Sequence, residues 1–439
     1  MKITDFFSAK AVALAESVPD SNSIDYLGRS LFPYKKKAGL DLKWIKTRKG
    51  LGVMLAPSNF DAKSTLRSRG GFDLEKTQMA FFRESMIVKE ADEQEIMRIQ
   101  DSADPYAQAV IDSVFDDAGT LVMGARTVAE SMAMQLIAPA DGTPKILIEG
   151  NGVVYAYNYD PDGTFKANNY VQMLGSSNWS DTTNSTPVSD IVAAKRLAKG
   201  RKPTNLIINP NTMQLLEQNA SVRALILPPA LVTEEAVKAA VATVAGVNLI
   251  VYEKMYTDEN GQDVYFYPDG VATLVPDTVL GNTWFGTTPE ERSGLAKQNA
   301  DFALIDDAIA VMVTETTDPV NTKTTVSEIC LPSFENMDSI VVMNVAPVLG
   351  TLTGTVAEGS SSGTTKITFA AAPSGYSYKI KTDKSNLDGI YFGTDLSSWT
   401  DYTSAADITV ADATVFAAAL VDTNGLVASA GLFTADTKA

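Results

Sequence analysis

The stretch Leu66-Arg67-Ser68-Arg69-Gly70-Gly71 gives the first indication of the fold. Successive side chains of a strand point to opposite faces, so the two arginines of this stretch are predicted to share one face. The two glycines allow the positive φ that a sharp turn requires. The surrounding residues 51–88 have too few large apolar side chains to form a core of their own. We therefore predict an extended, hairpin-like loop that rests on another surface.

A long helix is predicted downstream of this loop, over residues 105–138. Asp104 is a good N-cap and Pro105 suits the first helical position. Apolar residues then recur at spacings of three and four as far as Met132, and the pattern stops before Pro139. At 1.5 Å per residue such a helix is about 50 Å long. We expect it to form a spine beneath a sheet.

Strand and helix signals alternate irregularly beyond this helix, which indicates an α+β fold rather than repeated βαβ units. Residues 145–149 and 153–159 predict a hairpin with an Asn-Gly turn. The Ser-, Thr- and Asn-rich stretch 175–186 is predicted to be an exposed loop. Further strands are predicted at 205–208, 248–252, 264–267, 271–275, 308–314, 324–331 and 339–345, and helices after Thr186, Asn209 and Thr233.

The pattern changes at Pro347-Val348-Leu349-Gly350, after which helix signals vanish. Short strands separated by Ser, Gly, Asp and Asn turns indicate a small β-sandwich of immunoglobulin-like type over residues 350–439. Its strands are predicted at 366–369, 376–381, 407–410, 414–421 and 426–432.

Composition excludes several kinds of chemistry. The 439 residues include no histidine, so Ser-His-Asp triads and His-based metal sites are ruled out. Cys330 is the single cysteine, which excludes an intrachain disulfide, and we interpret it as a small core residue. No phosphate-binding glycine loop, dinucleotide fingerprint or GxSxG elbow is present. We therefore expect no catalytic, cofactor-binding or metal residues, and a protein that is not an enzyme.

Charge is unevenly distributed along the chain. The formal net charge is −17, but residues 1–50 contain ten Lys or Arg against five Asp or Glu. An acidic body repels phosphate, so sequence-specific nucleic-acid binding is disfavoured. Lys35, Lys36 and Lys37 of the basic segment are predicted to lie on the acidic body of another copy. The sequence has no apolar run of a signal peptide or of a membrane span, so we expect neither secretion by that route nor a membrane location.

Several short motifs, taken in order over residues 1–346, resemble tailed-bacteriophage major capsid proteins of the lambda capsid protein E family. They are Arg67-Ser68-Arg69-Gly70-Gly71, Ser176-Ser177-Asn178-Trp179-Ser180, Asn209-Pro210, Tyr256 through Gly261 with Pro268-Asp269-Gly270, Thr317-Asp318-Pro319, Ile329-Cys330-Leu331-Pro332 and Ile340 to Val345. Each motif is weak alone, and their order carries the resemblance.

This resemblance implies an HK-ninety-seven-type phage major capsid fold, with an outward-facing immunoglobulin-like domain added. The implied parts are an N-terminal arm (1–50), an extended loop (51–88), a peripheral domain with the spine helix (89–232), an axial domain (233–308), closing strands of the peripheral domain (309–346) and the outer domain (350–439).

The implied function is that of a structural major capsid protein, which self-assembles into the icosahedral head shell around the double-stranded DNA genome of a tailed bacteriophage. The implied partners are identical copies in pentamers and hexamers, a separate scaffolding protein, a portal and a decoration protein, with DNA only in non-specific proximity and no membrane. The location is the virion, after assembly in the host bacterial cytoplasm. Arg67, Arg69, Gly70 and Gly71 are predicted to make inter-subunit contacts, together with the three lysines of the basic segment.

Two other functions stay open from the sequence. One is an encapsulin-like shell that encloses a cargo enzyme. The other is a hydrolase with an accessory carbohydrate-binding β-domain, in which Tyr376, Tyr378, Trp399 and Tyr402 would form a sugar-stacking platform.

Overall fold

The computed structural model describes residues 26–46, 73–88, 105–150, 152–198, 201–226, 231–258, 261–296, 301–317 and 320–438. The helices are α1 (Leu27–Leu31), α2 (Pro105–Ile137), α3 (Thr164–Asn169), α4 (Pro187–Leu197), α5 (Pro210–Gln218), α6 (Ala220–Arg223), α7 (Glu234–Ala245) and α8 (Pro289–Ala296). The strands as far as residue 344 are β1 (Tyr34–Lys36), β2 (Asp41–Lys46), β3 (Asp73–Gln78), β4 (Ala80–Val88), β5 (Lys145–Gly150), β6 (Val153–Asn158), β7 (Tyr170–Gln172), β8 (Asn205–Ile208), β9 (Asn248–Val251), β10 (Met255–Thr257), β11 (Asp263–Tyr265), β12 (Val271–Val275), β13 (Asn282–Phe285), β14 (Asp301–Ile305), β15 (Ile309–Thr317), β16 (Val320–Ser333) and β17 (Val341–Asn344). The remaining strands are β18 (Gly350–Thr351), β19 (Thr355–Glu358), β20 (Thr364–Thr368), β21 (Tyr376–Lys381), β22 (Thr400–Tyr402), β23 (Asp407–Thr409), β24 (Val415–Asp422) and β25 (Val427–Thr434). These elements confirm the predicted α+β class.

Helix α2 is the predicted spine, and it runs without interruption for 33 residues. Its buried side chains, such as Val122, Met132 and Leu136, recur at helical spacing and face the largest hydrophobic core. The helix packs across β16, the long central strand of the first sheet. The Asp104 cap that we predicted lies outside the described residues.

The first sheet has the order β1-β13-β16-β15-β14, with β4 also paired to β16. Cys330 of β16 lies between Ala80 of β4 and Phe285 of β13, so strands cover both edges of β16 at this point. Cys330 is fully buried and free, as expected of a small core residue. Residues 26–36, which the sequence analysis assigned to the arm, also reach this sheet: Phe32 is fully buried in its core.

A second core lies around the sheet β7-β17-β12-β8-β9 and the helices α4, α5 and α7. Helix α7 begins and ends where its sequence predicts. The Thr233 hydroxyl accepts from the Ala236 N–H at 3.2 Å, and Gly246 adopts the left-handed conformation that terminates the helix. The predicted axial segment 233–308 contributes Val241 to this core but Ile305 to the first one.

The stretch 175–186 is only in part the exposed loop that its polar composition predicted. Trp179 is fully buried in the second core, and its indole N–H donates to Asp190 at 3.1 Å. The backbone N–H of Trp179 donates to the Val345 carbonyl at 2.8 Å. Asn178 and Ser185 are also buried. The prediction is wrong for these buried residues, because their polar groups are satisfied by hydrogen bonds within the protein rather than by water.

Residues 350–438 form a separate β-sandwich of immunoglobulin-like type. Its sheets are β18-β25-β24-β21-β22 and β19-β20-β23, with Phe369 and Phe416 between them. The sugar-stacking platform is contradicted, because Tyr378, Trp399 and Tyr402 are all buried in the cores of this domain. Their rings are needed for packing, and the fourth aromatic, Tyr376, is 41% exposed.

Two further findings concern the described part of the chain. None of its helices combines the length and apolar character that a membrane crossing requires. Within the same residues, no cluster of acidic or sulfur-containing side chains is arranged to hold a metal ion.

Candidate subunit interface

The described residues on either side of 47–72 form a two-stranded ribbon, β2 and β3. The two strands pair antiparallel from Asp41 opposite Gln78 to Lys46 opposite Asp73. Residues 47–72, here called the connecting segment, join the far ends of the ribbon. Arg67, Arg69, Gly70 and Gly71 belong to the connecting segment and lie outside the described residues. Residues 80–88, which the sequence analysis placed at the end of the loop, form β4 of the first sheet.

The base of the ribbon is fixed to the body of the protein. The Tyr157 hydroxyl donates to the Gln78 carbonyl at 2.9 Å. Further along the ribbon, the Trp44 ring stacks on Tyr159 with centroids 5.5 Å apart. Leu42 is buried in the main core. The ribbon is therefore attached to the body of the protein at its base and through Trp44.

The basic residues of the N-terminal segment contact groups of their own chain. The ammonium group of Lys36 pairs with Glu291 at 2.7 Å, and that of Lys35 lies 5.6 Å from the centroid of the Trp284 ring. Both lysines belong to β1, which runs parallel to β13. The Lys37 N–H donates to the backbone of β13 at 2.8 Å. Their predicted contact with another copy stays a prediction.

A pocket of about 450 Å³ lies between α2, the hairpin β5–β6 and the strands β4 and β16. Much of its wall is apolar. The apolar lining residues are Phe81, Phe82, Leu121, Ala125, Val128, Ile148, Val153, Tyr155 and Val326. Three carboxylates, Glu84, Glu149 and Glu328, also line it.

Glu328 is the unusual residue of this pocket. It is 1% exposed, and neither of its carboxyl oxygens has a hydrogen-bond partner among the described residues. Burial raises the pKa of Glu328 to about 8. Sequence reasoning missed this residue, although a signal was present. Glu328 is the one charged side chain in the stretch from Val326 to Leu331, whose other residues, apart from Ser327, are apolar.

Comparison with known proteins identifies the family. Residues 12–345 match the model of phage major capsid protein E. The chain belongs to the phage major capsid protein E family. This confirms the resemblance found in the sequence, and it makes the role of the protein structural, as a subunit of a capsid shell and a component of the virion.

Solved structures and other sequences add more remote similarities to this capsid protein. A phage-related protein from Bordetella bronchiseptica RB50 is 14% identical, with 78% of this chain and 99% of that chain covered and a TM-score of 0.47. The mature capsid of bacteriophage PhiM1 is 10% identical, with 74% of this chain and 89% of that chain covered and a TM-score of 0.40. A virus-like particle from Pyrococcus furiosus is 13% identical, with 76% of this chain and 97% of that chain covered and a TM-score of 0.37. Residues 357–430 match the model of the S-layer protein SbsC C-terminal domain. No curated protein matches the chain.

The arginine beside the pocket of the capsid protein is already paired. Arg83 lies 2.9 Å from Glu290 of α8, and the Ser327 hydroxyl donates to the same carboxylate at 2.7 Å. The Arg83 guanidinium also lies over the Phe81 ring, 5.1 Å from its centroid. Its charge is therefore balanced by a carboxylate other than Glu328.

The C-terminal domain of the capsid protein is seated on the loop that contains Trp179. The Gly175 N–H donates to the Phe392 carbonyl at 2.9 Å. Gly393 has a positive φ, and a Cβ added there would lie 2.7 Å from the Leu174 side chain. The close approach of Gly393 to the Leu174 side chain depends on the absence of a side chain at residue 393.

Proposed function

We propose that this capsid protein assembles into the icosahedral head shell that encloses the double-stranded DNA genome of a tailed bacteriophage. The family match over residues 12–345 carries the proposal. The net charge of −17 supports it, because an acidic wall does not grip the phosphates of a packaged genome. In this proposal the protein has no enzymatic activity.

The partners that we propose are those of a head shell. Identical copies form pentamers and hexamers, and a separate scaffolding protein directs their assembly in the host cytoplasm. A portal occupies one vertex, and a decoration protein binds the outside. The β-sandwich of residues 350–438 faces outward. Its two hydrophobic cores are separate from the two cores of the shell-forming part, which supports this placement of the domain.

Contacts between subunits are assigned in this proposal to the connecting segment and the N-terminal lysines. Arg67 and Arg69 form charge-assisted hydrogen bonds to carboxylates of an adjacent subunit, and Gly70 with Gly71 allows the turn that presents them. Lys35, Lys36 and Lys37 are assigned to the contact with the acidic body of the next copy, in addition to the pairing of Lys36 with Glu291 of its own chain. The position of the connecting segment in the sequence supports this assignment, since it joins two strands that are attached to the body of the protein.

Electron microscopy of the full chain, expressed with and without a scaffolding protein, tests the shell. Closed icosahedral particles of tens of nanometres are expected. A soluble monomer under every assembly condition would overturn the proposal, and particles that hold an enzyme rather than DNA in infected cells would indicate a cargo shell. The contacts are tested by Arg67→Ala with Arg69→Ala, which should lower the yield and heat resistance of the shells. Unchanged shells would refute the role of these arginines.

A further inference from the structure

We propose that the pocket between α2, the hairpin β5–β6, β4 and β16 is a binding site for a small organic cation. The ligand joins a single amidinium, guanidinium or primary ammonium group to an apolar body, and Glu328 binds the cationic group. The inference goes beyond the proposed function, because the residues that line the pocket all belong to one chain and the site does not depend on assembly.

The first argument is the position of the Glu328 carboxyl group. Glu328 lines the pocket, although it is only 1% exposed. Neither of its oxygens has a hydrogen-bond partner among the described residues. Buried side-chain polar atoms in proteins nearly always have such a partner, and leaving a carboxyl group without one is unfavourable. A ligand that donates hydrogen bonds would supply the partner.

The donors beside Glu328 are used by another carboxylate. Arg83 is the one basic residue among those described that line the pocket, and it lies 2.9 Å from Glu290. The hydroxyl group of Ser327, the residue before Glu328, donates to Glu290 as well, at 2.7 Å. The charge of Arg83 is therefore balanced, and the excess charge of the pocket lining is negative. This favours a cationic ligand over a neutral or an anionic one.

The second argument is the size of the pocket and the nature of its wall. Its volume of about 450 Å³ lies within the range of about 300–1,000 Å³ that is typical of small-molecule sites. Phe82, Val128 and Ile148 line it and are only partly buried, so an apolar ligand body would remove more of their surface from water. A cation without an apolar body would leave this wall exposed.

The geometry of a carboxyl group favours a planar cation. An amidinium or guanidinium presents two parallel N–H groups, which match the two oxygens of one carboxylate. Such groups are more weakly hydrated than an ammonium group, so their burial beside Glu328 costs less. We therefore expect planar cations to bind more tightly than ammonium groups with the same apolar body.

Burial of Glu328 also determines how binding depends on pH. It raises the pKa of this carboxyl group to about 8, so at neutral pH the empty pocket holds the protonated form. A cation pairs with the ionised form, so its binding releases the proton. The affinity should therefore increase as the pH rises toward about 8 and change little above it.

The other titratable groups around the pocket do not reproduce this effect. Burial raises the pKa of Tyr34 of β1 and of Cys330 of β16, so both keep their protons near neutral pH. Glu84, Glu149 and Tyr155 line the pocket from β4, β5 and β6. These three residues are present both in the wild type and in Glu328→Gln, so their contributions cancel when the two proteins are compared.

Isothermal titration calorimetry of the full-length protein with benzamidine tests the site. One benzamidine is expected per chain, and the neutral benzamide and the anionic benzoate should bind about tenfold more weakly or less well still. Titrations at neutral pH in buffers of different ionisation heat should show the release of nearly one proton per bound benzamidine. Equal affinity for benzamide, or no saturable binding of benzamidine at millimolar concentrations, would overturn the inference.

Two variants separate the charge of the site from its shape. Glu328→Gln should weaken benzamidine binding by about tenfold or more and abolish the proton release. A Cβ added at Gly124, which lines the pocket from α2, would meet no atom within 4 Å, so Gly124→Leu adds a side chain to open space. This variant should weaken benzamidine and benzamide binding alike.

The control for both variants is the exposed Glu358→Gln in the C-terminal domain, which should bind benzamidine as the wild type does. Melting curves without ligand establish that each variant is folded. An unchanged affinity in Glu328→Gln would show that this carboxylate does not bind the cation. An unchanged affinity in Gly124→Leu would place the ligand outside the pocket, and either result overturns the inference.

Discussion

The Tyr252 hydroxyl donates a 2.6 Å hydrogen bond to Oε1 of Glu130, deep in the main core. The Gly28 N–H donates to both oxygens of the same carboxylate, each at 3.0 Å. Glu130 is 2% exposed, so α2 holds a buried carboxylate that ties α1 and the residue after β9 to the spine. Glu328, in the same region of the protein, is equally buried and has no such bonds among the described residues. The carboxylate of Glu130 is therefore held by hydrogen bonds from two other elements, whereas that of Glu328 is not.

Replacement of Glu130 by glutamine should destabilise the unassembled subunit. The amide keeps one acceptor oxygen but turns an NH2 group toward donors, so at least one buried hydrogen bond is lost. The expected decrease in the free energy of unfolding is about 1–3 kcal/mol. Chemical denaturation of the full chain measures it, with the exposed Glu358→Gln as control. Equal stability of the two variants would contradict the structural role of Glu130.

Gly28→Ala and Gly124→Ala should have opposite effects on stability. A Cβ at Gly28 would lie 2.3 Å from Oε2 of Glu130 and 2.8 Å from the Ala133 Cβ, so α1 could not stay in contact with α2. A Cβ at Gly124 would meet no atom within 4 Å, and alanine is preferred to glycine inside a helix by about 1 kcal/mol. Thermal unfolding should show a lower midpoint for the first variant and a higher one for the second. The same sign for both would refute this account of the packing of α1.

The stability of the unassembled subunit should fall with rising pH because of Glu328. Burial raises its pKa to about 8, above the ordinary value of 4.5 that applies to the unfolded chain. Between these pH values the folded state keeps the proton that the unfolded chain has lost. The stabilising effect of the proton is therefore complete below about pH 4.5 and is lost as the pH rises through about 8. Between these pH values the free energy of unfolding should fall by at most about 1.4 kcal/mol per pH unit.

Urea denaturation at several pH values between these limits measures the slope. Glu328→Gln cannot titrate, so its stability should change less with pH than that of the wild type. The carboxylates of Glu84 and Glu149 at the same pocket are present in both proteins and cancel in the comparison. Parallel pH profiles for the two proteins would show that Glu328 does not change its protonation on unfolding.

Elements that are specified by interactions within a few residues were predicted correctly, whereas elements that depend on contacts between distant residues were missed. Helix α7 and strand β12 lie where they were predicted, because caps, glycines and apolar periodicity act within a few residues. Strands β1 and β13 were missed, since Tyr34 and Thr283 pair across most of the chain and neither segment has a strong local signal. The family, by contrast, was recognised from the order of weak motifs.

The candidate interface was foreseen only in part. The loop around Arg67 and Arg69 was predicted from its lack of apolar side chains and stays a prediction. The attachment of the adjoining ribbon through Trp44 and Tyr159 depends on a contact between distant elements, which the sequence does not reveal. The burial of Glu328 was not predicted either. A single glutamate in an apolar run fits an edge strand with one exposed face equally well, and only the packing of α2 on β16 places it inside.

The C-terminal domain contacts the loop that contains Trp179 through Phe392 and Gly393. Gly389 and Gly393 both have a positive φ, +74° and +76°, so alanine is strained at either position. They differ in their surroundings: a Cβ at Gly389 would meet no atom within 4 Å, whereas one at Gly393 would collide with Leu174. Gly393→Ala should therefore displace the domain from the Trp179 loop, and Gly389→Ala should not. Hydrogen exchange of the Gly175 N–H, which donates to Phe392, should become faster in Gly393→Ala alone. Equal exchange in both variants would mean that backbone strain, and not the contact with Leu174, governs the attachment of this domain.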